Sequence, residues 1–131
     1  MANPNIVSVT TIYGTTTHYM PTGTSAVVLL PNAASSGKVY KINDIIACNI
    51  DGTNAVNASV SIYTNGAVAQ GSAPSGGTDY PIASTVSVPA NGVVNIIEKV
   101  SALYLQEANS IAIKSSAGSK LVFTVSYEDI S

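Results

Sequence analysis

Apolar and polar residues alternate with period two along much of the chain. Val56, Ala58, Val60 and Ile62 are separated by Asn57, Ser59, Ser61 and Tyr63. Leu121, Phe123, Val125 and Tyr127 alternate with Val122, Thr124 and Ser126, and Ile111 and Ile113 with Ala112 and Lys114. Successive side chains of a strand point to opposite faces, so this spacing predicts strands with one apolar and one wet face. Tyr40, Ile42, Ile46, Cys48 and Ile50 share one parity, which Asp44 interrupts. A β-bulge near Asn43–Asp44 accounts for the interruption. Shorter strands are expected over Ile6–Tyr13, Ser25–Leu30, Val93–Ile97 and Ala102–Leu105. Helix signals are nearly absent, because Ala is scattered among Gly, Ser and Val.

Turn residues punctuate the strands. Asn65-Gly66 lies between Ile62–Thr64 and Ala67–Ala69 and predicts a type I′ hairpin, whose two central residues need positive φ. Asn91-Gly92, Asp51-Gly52, Glu107–Asn109 and Ser116–Ser119 mark further turns. Gly71–Tyr80, with Pro74 and Gly76-Gly77, reads as an exposed loop. About eight short strands with regular turns predict an all-β antiparallel β-sandwich. A jelly-roll-like topology is favoured over an immunoglobulin-like one, since no Cys…Trp…Cys pattern is present. Residues 1–25 are Thr-rich and read as an N-terminal arm or edge strand. Residues 26–131 read as a single sandwich domain.

Composition narrows the function. Of 131 residues only 9% are charged, with five Lys, no Arg and a net charge of −2. That balance lacks the basic footprint of a nucleic-acid binder, so no nucleic-acid partner is expected. No apolar run approaches the ~20 residues of a membrane span, so no membrane partner is expected. The first residues hold neither a basic stretch nor a compact apolar one, so no secretory leader is expected. The single Cys48 excludes an internal disulfide. A freely diffusing protein usually keeps its surface charged. The Ser, Thr, Asn and Ala surface here suits a protein packed against other subunits.

Residues able to carry chemistry are few. His18 is the only histidine, no Gly-x-Ser-x-Gly elbow accompanies it, and it lies in the Thr-rich segment. Cys48 is expected to be a buried, inert core residue between Ile46 and Ile50. Asp51-Gly52-Thr53-Asn54 lacks the later carboxylates of a calcium loop and reads as a plain turn. Glu128-Asp129 reads as a solvated end. Gly76-Gly77 has no P-loop lysine, and Asn57-Ala58-Ser59 is a short sequon match of little weight. No enzyme activity, cofactor or metal is expected. Tyr is spread over seven positions, and Tyr63 has the outward parity of its strand. The candidate partner contacts are Thr15, Thr16, Thr17, His18, Tyr19 and Tyr63.

Residues 38–131 carry a resemblance. Val39–Asn49, the run Ser101-Ala102-Leu103-Tyr104-Leu105-Gln106-Glu107-Ala108-Asn109-Ser110-Ile111-Ala112-Ile113, and Leu121–Ile130 ending in Ser126-Tyr127-Glu128-Asp129-Ile130 bear it. Together they resemble small virion structural proteins of tailed bacteriophages, notably cyanophages and other marine phages. The resemblance implies a non-enzymatic assembly role in the virion, after synthesis in the host cytoplasm. A capsid decoration (cement) protein is the leading expectation, a homotrimer contacting the major capsid protein or other virion proteins. A collar, neck or tail accessory ring protein is the alternative within that class. Outside it stands a carbohydrate-binding adhesion module, for which the Gly71–Tyr80 loop with Tyr80 is the candidate.

Overall fold

The computed structural model describes residues 8–98, 100 and 103–131. Nine strands follow one another: β1 Ile12–Tyr19, β2 Val27–Asn32, β3 Val39–Asn49, β4 Val56–Tyr63, β5 Asp79–Val88, β6 Val93–Ile97, β7 Leu103–Leu105, β8 Asn109–Ser115 and β9 Leu121–Ile130. They form two antiparallel sheets packed face to face. One has the order β1-β9-β3-β6, with β7 also pairing β3, and the other has the order β2-β8-β4-β5.

The pairings are nested. β4 pairs β5, β3 pairs β6 and β7, β2 pairs β8, and β1 pairs β9. The chain is thus one long antiparallel ribbon with its bend between β4 and β5. Rolling it up brings β3 against β9 and β4 against β8. This is a jelly roll, with most connections crossing between the sheets, and it excludes the immunoglobulin alternative.

The alternating positions build the core. Val56, Ala58 and Val60 of β4, Ile111 and Ile113 of β8, and Leu121, Phe123 and Val125 of β9 are buried together. Two buried asparagines bind one sheet to the other. Asn32 of β2 donates from Nδ2 to Leu105 O of β7 (3.1 Å) and to Lys38 O (3.0 Å), and its Oδ1 accepts from Ser36 Oγ. Asn49 of β3 donates to Val88 O of β5 (3.1 Å) and to Asn54 O (2.9 Å), and its Oδ1 accepts from Asp51 N.

Four expectations are corrected. First, Asn65-Gly66 makes no hairpin. Asn65 Oδ1 accepts from Ala67 N, and its Nδ2 reaches Ser75 O across a long connection to β5. Second, Asp79 and Tyr80 are not loop but the start of β5, where Asp79 pairs with Tyr63. Third, the first strand is Ile12–Tyr19 rather than Ile6–Tyr13; Ile6 and Val7 lie outside the described residues, as does Ala102 of the Ala102–Leu105 expectation. Fourth, the bulge falls between Ile42 and Asp44 as the parity break required, but it reverses the faces. Ile45, Ala47 and Asn49 turn inward, and Ile46, Cys48 and Ile50 turn out, Ile50 with 53% exposure. Cys48 is therefore a half-buried residue of the outer face, not of the core.

That reversal has a measurable consequence. Cys48→Ser is expected to change stability by less than about 0.5 kcal/mol, as surface substitutions do. A thiol reagent is expected to label Cys48 in the native protein. Labelling that requires denaturant would place it back in the core.

Candidate functional site

A groove opens on the outer face of the four-stranded sheet. Asn57, Ser59, Ser61 and Tyr63 of β4 turn outward beside Ala112 and Lys114 of β8, with Asp79, Pro81 and Ala83 on β5. Their small side chains leave a groove of about 540 Å³. Thr85 bends the β5 wall: its φ is 51°, in the left-handed region that few non-glycine residues enter, and its N–H donates to Ser59 Oγ at 2.9 Å. Pro74, from the long connection, closes the groove at another side. The groove offers hydroxyls, an amide and two opposite charges.

Tyr63 holds this connection down. Its hydroxyl accepts from Gly77 N at 3.0 Å, while Thr78 N donates to Thr64 Oγ1 at 2.7 Å. Tyr63 has the outward parity expected of it but is only 9% exposed, so it supports the groove wall instead of presenting a free face.

At one end of the five-stranded sheet, β3 and β9 gather a polar and aromatic cluster. The rings of Tyr40 and Tyr127 lie 5.0 Å apart, tilted by 55°. Lys38 Nζ meets Asp129 Oδ2 at 3.1 Å, and Lys41 Nζ meets Glu128 Oε2 at 3.7 Å. Glu128 and Asp129 are therefore paired strand residues, a correction to the solvated end expected for them. Burial pushes both phenols above the ordinary tyrosine value, and the Asp129 carboxylate adds to it. The hydrogen bond to Asp129 holds Lys38 above the ordinary lysine value, with their charge attraction second.

All three folded-state values are raised, so their contribution is full below about pH 10 and is lost as pH rises through the folded values. Thermal melts are expected to show a fall in Tm beginning above about pH 10. Tyr40→Phe and Tyr127→Phe should flatten that fall. An unchanged alkaline slope in both variants would remove the tyrosines as its cause.

Tyr40, Tyr127 and Asp129 lie on the inner side of the five-stranded sheet and the Lys41–Glu128 pair on its outer face, which is apolar at its centre. Cys48 lies between Val93 and Val122 in register, and Ile46 lies between Asn95 and Thr124. His18 of β1 neighbours Thr124 on the same face. Among the described residues no group of three His, Cys, Asp or Glu side chains converges as a metal site would require.

The remaining sequence-derived candidates divide by parity along β1. Thr15, Thr17 and Tyr19 turn toward the sandwich interior, where Thr17 Oγ1 accepts from Gln70 Nε2 at 3.1 Å and Tyr19 packs on the core. Thr16 and His18 are exposed. The segment expected as an arm or edge strand thus includes the edge strand β1, paired with β9 along its whole length. Sequence reasoning missed the Asp79–Ala83 wall of the groove and the two asparagine clasps. Neither bears a local pattern that distinguishes it from loop.

No protein-family model matches the chain, and no curated protein or solved structure matches it either. Among the described residues no helix is long and apolar enough to cross a membrane.

Proposed function

We propose that the chain is a non-enzymatic structural protein of a bacteriophage virion, a capsid decoration protein that stabilises the head shell as a homo-oligomer. The observation that carries this reading is the uncharged centre of the outer face formed by Ile46, Cys48, Val93, Val122 and Thr124. An apolar, sparsely charged face suits a surface covered by a neighbour. The jelly roll itself serves viral capsid proteins and lectins alike, so it supports the reading only as analogy. The resemblance of residues 38–131 to phage virion proteins points the same way.

The mechanism is mass action. A protein that binds the assembled shell but not its loose parts shifts the balance toward the shell. At 100 times its Kd, each bound copy adds about 2.7 kcal/mol. The partners would be the major capsid protein or other virion proteins, and the location the phage particle. A collar, neck or tail accessory ring would use the same faces on a different symmetry.

The groove favours a second reading, a carbohydrate-binding adhesion module. Asn57, Ser59, Asp79 and Lys114 offer donors and acceptors there. Tyr80, on the neighbouring β5 edge, is 59% exposed.

Immunogold electron microscopy of purified virions, with antibody against this chain, tests the proposal. Gold over heads is the expected result. Gold confined to neck or tail would replace decoration with the accessory ring. Unlabelled particles, with the antibody shown to bind the chain, would overturn the virion role. Hits on a glycan array would then establish the adhesion module.

A further inference from the structure

A sandwich has four sheet edges, and each carries unpaired backbone groups that another strand can use. Three are blunted here. The free side of β2 is occupied by the connection from β4: Val28 N donates to Ser72 O at 2.9 Å, Gly71 N to Val28 O at 2.8 Å, and Gln70 Nε2 to Leu29 O at 2.8 Å. β5 contains Pro81, has Thr85 at φ 51°, and shifts register twice against β4. The β6 and β7 edge is broken into pieces of five and three residues.

β1 has none of these devices. It runs eight residues, Ile-Tyr-Gly-Thr-Thr-Thr-His-Tyr, without proline, acid or lysine. Its register against β9 is unbroken from Ile12↔Ile130 to Tyr19↔Phe123. It also carries two of the exposed large apolar side chains, Ile12 at 53% and Tyr13 at 63%.

The direction of its free backbone groups follows from one pair. Thr11 and Ser131 exchange both hydrogen bonds, Thr11 N to Ser131 O and Ser131 N to Thr11 O, each 3.0 Å. Antiparallel ladders alternate, so Tyr13, Thr15, Thr17 and Tyr19 spend their backbone groups on β9. Ile12, Gly14, Thr16 and His18 aim theirs at the free side. No turn, loop or side-chain hydrogen bond among the described residues reaches those four.

The partner follows from the order of residues. Tyr13-Gly14-Thr15-Thr16-Thr17-His18-Tyr19 reads the same in both directions about Thr16 except at Gly14 and His18. Laid antiparallel on itself about that point, it sets Thr16 against Thr16 and Gly14 against His18 as the hydrogen-bonded pairs. Tyr13 then faces Tyr19, and Thr15 faces Thr17. Aromatic pairs and Thr–Thr pairs directly opposite each other are among the favourable cross-strand contacts. The glycine leaves room for the imidazole across from it. Centring on Thr15 instead sets Tyr19 against Thr11 and Tyr13 against Thr17, which loses the aromatic pairs.

We infer that β1 pairs antiparallel with β1 of a second copy of this chain, about a two-fold axis at Thr16, joining two five-stranded sheets into one. The inference goes beyond the proposed virion role and does not depend on it. A two-fold contact does not build the expected homotrimer, which would need a different interface.

Sedimentation velocity of the full chain tests the pairing, with circular dichroism as the control for folding. Wild type is expected to sediment as a dimer of the 13.3 kDa chain. Thr16→Pro removes a donor that faces away from β9, a place where an edge strand tolerates proline. It is expected to leave the fold intact and the chain monomeric. Thr16→Lys, which sets two like charges on the axis, should do the same should proline disturb the strand. Register is read by cysteine cross-linking in a Cys48→Ser background. Thr16→Cys should oxidise to a covalent dimer and Thr17→Cys should not, because only opposed residues come within disulfide reach. A wild-type monomer at every concentration, an oligomer of odd order, an oligomer unmoved by both folded variants, or cross-linking through position 17 instead of 16 would overturn the inference.

Discussion

Gly66→Ala is expected to destabilise the chain by about 3 kcal/mol, the upper range for overpacking. In a domain of this size that is a fall in Tm of roughly 10 °C. A Cβ on Gly66 would collide with the carbonyl of Asn32 and lie 2.8 Å from the carbonyl oxygen of Asn109. Both are backbone atoms at strand ends, so no side chain can swing aside. Gly23→Ala is the control, since a Cβ there meets nothing within 4 Å. Its Tm should hold or rise slightly. Equal melting of the two variants would show that the turn does not sit down on the ends of β2 and β8 as described.

Asn32→Ala and Asn49→Ala are each expected to cost about 3 kcal/mol. Each side chain donates to two main-chain carbonyls, and a buried carbonyl left unpaired costs about 1–3 kcal/mol. Both asparagines are essentially unexposed. They share no partner, so the double variant should lose about the sum of the two. Chemical denaturation of the three variants measures this. Losses below about 1 kcal/mol would mean that water replaces the lost donors and that the clasps are not sealed from solvent.

Much of this architecture is legible in the residues, for reasons that also explain the errors. Where a strand has one buried and one wet face, as at Val56–Ile62 and Leu121–Val125, the alternation states which side is core. β5 carries no such message. Its Pro, Ala, Ser and Thr residues are mostly exposed, so its segment reads as turn chemistry. Asn65-Gly66 misleads because the glycine is needed for close approach to Asn32, not for positive φ. Cys48 misleads because a bulge fixes an interruption in parity without saying which side of it is displaced. Strand order is illegible, since it depends on pairings between residues a hundred positions apart. Among the candidate contacts, parity separates exposed Thr16 and His18 from inward Thr15, Thr17 and Tyr19, while the connection that follows β4 folds back over Tyr63.

The nesting of the strands sets an order in time. β9 lies between β1 and β3, yet it follows every other strand in the chain. During synthesis the five-stranded sheet has no centre until β9 has been made. Until then β1 and β3 wait with open flanks, and Phe123 and Val125 are missing from the core. Folding is therefore a late event dominated by long-range pairing, the slow regime for β proteins. A ribosome that stalls before Leu121 leaves a sticky, half-built ribbon, open to the aggregation that exposed strand edges invite.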